Sequence, residues 1–274
     1  MGFKNLMVHI ELDRPNDTRI KIAGSLAEKF GAGVIGIASC REVPFSYSDG
    51  YSANKLIEEE RQAILGRMKA AEARFRSCLD GHAKFVEWRS AIDEPTEYVL
   101  QQARAADLVI LGAAYREDSF DPVRELDPTG FLAEAGRPVL LVPHEVEQLT
   151  LKKIVIAWKD TREARRAVLD ALPLLSLSEN VIVAAIDETG DPTRAETSVN
   201  DVVVWLSRHG IKGRGLVLPL LESTAQQLDS LAWEEGADLI VAGAYGHSRF
   251  REWVLGGTTR EFIMRMPRCF LLAH

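Results

Sequence analysis

An internal repeat constrains this chain more than any other feature. Ala106-Asp107-Leu108-Val109-Ile110-Leu111-Gly112-Ala113 matches Ala237-Asp238-Leu239-Ile240-Val241-Ala242-Gly243-Ala244 almost residue for residue. Val139 to His144 corresponds to Cys269 to His274, and Leu6 to Ile10 corresponds to Ile154 to Trp158. Matched segments in the same order require one supersecondary unit built twice. A length of 274 residues suits either two compact domains or one large one, so the repeat decides for two.

Periodicity says what each copy is. Ile20, Ala23, Ala27 and Phe30 recur at helical spacing, as do Ala164, Val168, Ala171 and Leu175, so the first helix of each half lays one apolar stripe on a sheet. Buried-looking strands follow at Val34 to Ala38 and Val181 to Ile186, with one more strand per half at roughly Lys84 to Trp88 and Gly215 to Leu218. Strand runs that are apolar on both faces imply a parallel sheet covered on both sides by helices. The expectation is two tandem, doubly wound α/β domains, each with a five-stranded parallel sheet, over residues 1–146 and 151–274 and packed as a pseudo-twofold pair. The linker, Glu145 to Lys152, is short, which favours packed domains over tethered ones. In the first half Pro44 to Tyr51 reads as an inserted loop before a charged helix from about Leu56 to Phe75: a lid or contact surface, or a plain exposed connection.

Composition narrows the function. Hydrophobic residues at 46% and charged residues at 27% suit a packed globular protein, and a net charge of −7 offers no overall attraction to nucleic acid or anionic lipid. The opening Met1-Gly2-Phe3-Lys4 lacks a signal-peptide core and no bilayer-length apolar run follows, so a cytoplasmic protein without membrane contact is expected. Three unclustered cysteines, Cys40, Cys78 and Cys269, argue for reduced thiols rather than disulfides or a zinc module. His9 and Cys40 lie toward the ends of neighbouring strands, but two ligands do not make a zinc site.

In a doubly wound sheet, ligands bind beyond the carboxyl ends of the strands where the strand order reverses. There the second half carries Gly243-Ala244-Tyr245-Gly246, then Gly256-Gly257-Thr258-Thr259. Glycines let a backbone turn tightly and bring its N–H groups near an anion, and a helix from Thr259 to Arg265 would offer its positive end to phosphate. Thr258 with Glu261 also reads as a capping box, which needs no ligand. His247 would touch phosphate or simply be an exposed loop histidine. Arg249 and Arg251 would steer an anion, whereas Arg260 and Arg265 read as solvated helix charges. No Gly-x-Ser-x-Gly elbow, His-Glu-x-x-His helix or P-loop occurs, so no catalytic residue is assigned and no enzyme activity is expected beyond incidental ATP hydrolysis.

The spacing Gly243-x2-Gly246-x9-Gly256, followed by a small residue, resembles the ATP-binding loop of the universal stress protein family, and the resemblance extends over nearly the whole chain. It implies a Rossmann-like fold of the adenine nucleotide alpha hydrolase type and a stress-response role that is regulatory rather than catalytic. It implies ATP or another adenine nucleotide in the second domain, with Mg²⁺ accompanying it at most. The residues it places there are Ala157, Trp158 and Lys159 after the first strand, Ala185 near the end of the second, Ala242, Gly243, Gly246, Gly256 and Gly257, and the hydroxyls of Thr258 and Thr259. Lys159 stands where the family has an Asp, and Gly257 where it has Ser or Thr. In the first half Tyr115 replaces the second glycine and Glu117 and Asp118 follow, a degenerate loop that should exclude phosphate. Partners implied are an unidentified protein, and either intramolecular pairing in place of a homodimer or a further dimer of tandem chains. The competing reading is an interaction scaffold that binds no nucleotide and works through domain pairing and the loop from Pro44 to Leu56.

Overall fold

Backbone polar groups in a sheet satisfy one another, so a sheet covered on both faces can bury strands that are apolar throughout. The computed structural model describes residues 2–42, 50–113, 121, 123–188, 190–244 and 267–274, and it divides them into two compact units, Phe3–Phe131 and Leu132–His274. In the first unit the elements run β1 (Asn5–His9), α1 (Asp17–Phe30), β2 (Gly33–Ser39), α2 (Gly50–Cys78), β3 (Val86–Ala91), α3 (Pro95–Gln102), β4 (Leu108–Gly112) and α4 (Pro128–Glu134), whose last residues cross into the second unit. The second continues with β5 (Val139–Val142), β6 (Lys153–Ala157), α5 (Arg162–Leu175), β7 (Asn180–Asp187), α6 (Pro192–Arg208), β8 (Gly213–Pro219), α7 (Thr224–Glu235), β9 (Leu239–Gly243) and β10 (Cys269–Ala273).

The first unit's strands order as β3-β2-β1-β4, all parallel. The second unit's strands order as β5-β10-β9-β6-β7-β8: β5, the last strand of the first repeat, runs antiparallel to β10, Phe270 opposite Leu141, and the remaining pairs are parallel. Strand order reverses between β1 and β4 and again between β6 and β9, the doubly wound pattern. Every residue of β2 and of β10 is buried, as two-sided cover demands.

Helices seat by the stripes the spacing predicts. On α1 Ile20, Ala23 and Ala27 are buried, on α5 Ala164, Val168, Ala171 and Leu175. Gly31 ends α1 in the left-handed conformation, φ 59°, and its N–H closes back on Ala27 and Glu28. The helix α2 begins at Gly50, so residues 50–56, expected in the inserted loop, are helical, while residues 43–49 lie outside the described residues. Good helix formers from Lys55 to Glu60, with Lys55 facing Glu59 one turn on, account for the earlier start. Its apolar side places Ile64, Met68 and Phe75 in the core, where Gly36 of β2 accommodates the rings of Phe75 and Trp88, both 2.7 Å from where a Cβ would lie. The helix expected at Thr259 to Arg265 also lies outside the described residues.

The Asp shared by the repeated segments has a specific task. Asp107 Oδ2 accepts hydrogen bonds from the backbone N–H groups of Lys4 (2.7 Å) and Asn5 (3.0 Å), where the chain enters β1. Asp238 Oδ2 accepts from Thr150 N (2.6 Å), Thr150 Oγ1 (2.7 Å) and Leu151 N (3.1 Å), where the chain approaches β6. Leu151 is fully buried with φ 62°, a left-handed conformation that costs a non-glycine residue ~1 kcal/mol and is held here by that carboxylate. Both bonds replace a lost ladder partner at the mouth of a central strand. Asp107→Ala is expected to cost about 2 kcal/mol and Asp238→Ala about 3 kcal/mol in urea denaturation, the larger loss falling where Leu151 is released.

Candidate functional site

The carboxyl ends of β6, β7 and β9 meet in register in the second unit. Ala157 lies opposite Ala184 on one side and Ala242 on the other, and the N–H of Trp158 still bonds Ala184 O at 2.7 Å. Partners in a parallel sheet present side chains to the same face, so the three alanines form one row. Aligning the repeats turns that row into a contrast. The corresponding first-unit residues are His9, Ile37 and Leu111, all buried and all large. Ala157 is partly exposed; Ala184, Ala185 and Ala242 are buried.

Gly243, next after Ala242, faces the other way. A Cβ built on it would lie 2.4 Å from Ala164 N and 2.6 Å from the carbonyl carbon of Glu163, so the first turn of α5 rests directly on this glycine. The short β6–α5 turn, residues 158–161, brings the helix in this close. Thr161 caps it, accepting from Ala164 N at 3.3 Å. Glu163, on that first turn, is buried and takes Arg162 Nε at 3.1 Å. Burial pushes its carboxyl upward, but hydrogen bonds from its own backbone N–H, from Arg162 and from Thr161 outweigh this and hold it below the usual carboxylate range. Trp158 is buried, its indole N–H donating to Ser198 Oγ of α6 at 3.3 Å. Lys159 extends outward and pairs with Glu188 Oε2 at 2.8 Å, while Arg165 Nη2 pairs with Asp160 at 2.6 Å. Of the residues the spacing singled out, Gly246, Gly256, Gly257, Thr258 and Thr259 lie outside the described residues, as do His247, Arg249, Arg251, Arg260 and Arg265.

The first unit closes the equivalent place with its own side chains. Its β1–α1 turn, residues 10–16, is longer, and α1 stands further off β4. The gap below Gly112 holds Glu11 and the Arg19 guanidinium, respectively 2.8 and 3.0 Å from a Cβ built there. Buried Arg19 donates to His9 O (3.0 Å), Glu11 Oε1 (3.3 Å) and Asn16 Oδ1 (3.1 Å), and Asn16 ties the turn by bonding the N–H and C=O of Glu11. Arg14 extends the network to Glu125, with Nε at 3.0 Å from the carboxylate. Arg19, Asn16 and Glu163 are absent from the sequence-based candidates; the length difference between the two turns was the signal that pointed to them.

His9 and Cys40 do not converge on a metal. Cys40 packs with Ile64 and Met68, and among the described residues no group of three or more His, Cys, Asp or Glu side chains has the geometry to hold an ion. The three cysteines are free thiols. Among the described residues no helix is long and apolar enough to cross a membrane.

Two doubly wound units in tandem, each with one reversal of strand order, define the class of fold. Within that class the chain has the fold of a universal stress protein: a structure of one from Archaeoglobus fulgidus DSM 4304 superposes with a TM-score of 0.72 at 14% identity, covering 98% of this chain and 95% of that one. A protein of unknown function from Pseudomonas aeruginosa PAO1 superposes with a TM-score of 0.59 at 16% identity, over 99% of this chain and 92% of that one. No family model matches the sequence, and neither does any curated protein.

Burial, and then the charge of Arg19, push the imidazole of His9 from 6.5 down to about 3, so it is neutral in the fold. The unfolded chain binds this proton near 6.5 and the folded chain only near 3. His9 therefore contributes its full stability above pH 6.5 and loses it as pH falls through that window, at up to ~1.4 kcal/mol per pH unit. Denaturation between pH 5 and 6.5, above the range where most carboxylates titrate, should show this slope, and His9→Leu should flatten it. Arg19→Ala, which removes the buried partner of half-buried Glu11 and of His9 O, should cost about 2 kcal/mol in the same assay.

Proposed function

We propose that the chain is a tandem universal stress protein that binds an adenine nucleotide in its second unit and acts as a cytoplasmic regulator rather than an enzyme. The observation that carries this is the alanine row. Where the first unit has the large side chains of His9, Ile37 and Leu111, the second has only Ala157, Ala184 and Ala242 beside the start of the Gly243-x2-Gly246-x9-Gly256 frame, and small side chains suit the face of a flat ring. A base resting on small side chains, with its phosphates on the glycine backbone, uses each part of the crevice for the chemistry it suits. The first unit binds none in this reading, because His9, Ile37 and Leu111 fill its strand ends and Tyr115 stands in place of the second glycine. Full-length likeness to a universal stress protein supports the tandem arrangement, with one domain before and one after the linker at residues 147–150.

Trp158, Lys159 and Ala185 border the base and ribose in this reading, and Gly257, Thr258 and Thr259 complete the phosphate cradle. Lys159, where an acid is usual in the family, is neutralised by Glu188, so the ribose is held by backbone and by the loop hydroxyls. Protein partners would respond to the nucleotide-bound state.

Isothermal titration of the full chain with ATP, ADP and AMP tests the reading. At least one should bind below millimolar concentration. Ala242→Leu, which restores the first unit's side chain, and Gly246→Asp should each weaken that binding by about tenfold or more while the circular dichroism spectrum holds. No binding of any of the three nucleotides would reject it.

A further inference from the structure

The second unit's sheet ends on β8, which pairs with β7 on one side and, among the described residues, with no strand on the other. In a parallel pair, alternate residues point their N–H and C=O groups at the neighbour. Lys212 O accepts from Val181 N and Leu220 N donates to Asp187 O, so the even-numbered residues of β8 face β7. Gly213, Gly215 and Val217 therefore direct their backbone donors and acceptors away from the sheet, and Pro219, which has no N–H, closes the row. The corresponding edge of the first unit is guarded by charge: β3 carries Glu87 and Arg89, paired at 2.7 Å. Aligning the repeats through β2 and β7 sets Leu216, Val217 and Leu218 where β3 has Arg89, Ser90 and Ala91. Apolar surface continues just past β8 at Leu220 and Leu221, and on α6 at Val204, all exposed.

We infer that this edge is where a second copy of the chain joins, β8 against β8 in antiparallel. A two-fold axis at Gly215 sets that residue opposite itself and Gly213 opposite Val217, so every outward N–H of the row meets an outward carbonyl. Pro219 falls beyond the paired stretch, where its missing N–H leaves no acceptor unmet. Arg214 then lies opposite Leu216, so no like charges face each other across the joint. Arg214 is the only ionic side chain of β8 and is already held by Glu235 at 2.6 Å, so nothing on the edge selects a charged peptide in place of its own copy. A Cβ on Gly215 would lie 2.5 Å from Val199 and 3.7 Å from Val203, so α6 rests directly over the edge strand. The same axis brings the two α6 helices side by side on one face of the joined sheets, covering Val203 and Val204. The joint uses neither the strand-order reversal nor the glycine frame, so it stands apart from the nucleotide reading.

Sedimentation velocity of the full chain at concentrations up to ~0.1 mM tests this, and the chain should pass from one copy to two as concentration rises. Val217→Pro removes an outward N–H and leaves the bonds to β7 intact, so it should weaken the dimer about tenfold or more with little change in melting temperature. Leu216→Lys, which sets a second cation against Arg214 of the other copy, should do the same and gives that reading if the proline variant folds poorly. Ser90→Lys, at the aligned place on β3, should leave the dimer as it was. The register has its own readout. Arg214→Cys combined with Leu216→Cys places thiols across the joint at non-hydrogen-bonded positions, with Cα atoms about 4.5 Å apart and within disulfide reach. Mild oxidation should then give a covalent dimer on a non-reducing gel. A chain that stays monomeric over the whole range overturns the inference. So does a dimer that Val217→Pro and Leu216→Lys leave intact, that Ser90→Lys weakens, or that the cysteine pair fails to cross-link, since it is then held elsewhere.

Discussion

Covering a parallel sheet on both faces leaves almost nowhere inside for a polar side chain, and the rest of this structure follows from that restriction. Among the described residues the buried polar or charged side chains are His9, Arg19, Ser39, Glu163 and Gln227. Each lies at the carboxyl end of a strand or in the first turn of a helix leading away from one. Ser39 donates to Ala91 O and Asp93 O at the end of β3, and Gln227 bonds Pro219 O and Leu221 N beyond β8. Burial has sorted the chain's chemistry onto one edge of each sheet, which is where a doubly wound fold has a crevice.

The two units resolve that crevice differently. A longer first turn carries α1 away from β4, and the space is taken by an ion pair whose lone pairs and protons are shared with Asn16 and a main-chain carbonyl. Such a network is costly to bury, and within it Glu11 Oε2 is left without a hydrogen-bond partner. A shorter turn lays α5 flush on Gly243, and the row beneath shrinks to alanine. Divergence at a few positions is enough to fill that place with side chains in one unit and with helix backbone in the other.

Much of this architecture was legible in the amino-acid order. The repeated Ala-Asp-Leu segments located β4 and β9, and the helical spacing of Ile20, Ala23 and Ala27 gave the buried side of α1. The pairing of β5 with β10 was not legible, because four consecutive apolar residues fit a buried strand beside a neighbour of either sense. Neither was the start of α2, since Gly50-Tyr51-Ser52 reads as a turn while the helix formers that follow carry the helix back to Gly50. At the site, the glycines announce a loop, and that Gly243 is also required by the close approach of the α5 backbone is a fact that needs coordinates. The substitution of Leu111 by Ala242 was visible in the aligned repeats, but its meaning depends on register with Ala157 and Ala184. Arg19 reads as an ordinary surface charge on an amphipathic helix until the long turn before it is seen to fold underneath.

The aspartates that anchor β1 and β6 have a further consequence for how the protein is made. Asp107 lies 103 residues beyond Lys4, and Asp238 lies 88 residues beyond Thr150. β1 and β6 are thus each the first strand of their repeat to leave the ribosome and among the last to be secured. Until the distant carboxylate emerges, the entry to that strand is held by nothing local, and in the second unit Leu151 has no reason to adopt its left-handed turn. Each half must wait for nearly its whole length before its centre locks, which makes folding slow in the way long-range topologies are slow. A nascent chain of this protein depends on its neighbours, or on chaperones, to shield a central strand that is already synthesised and not yet fastened.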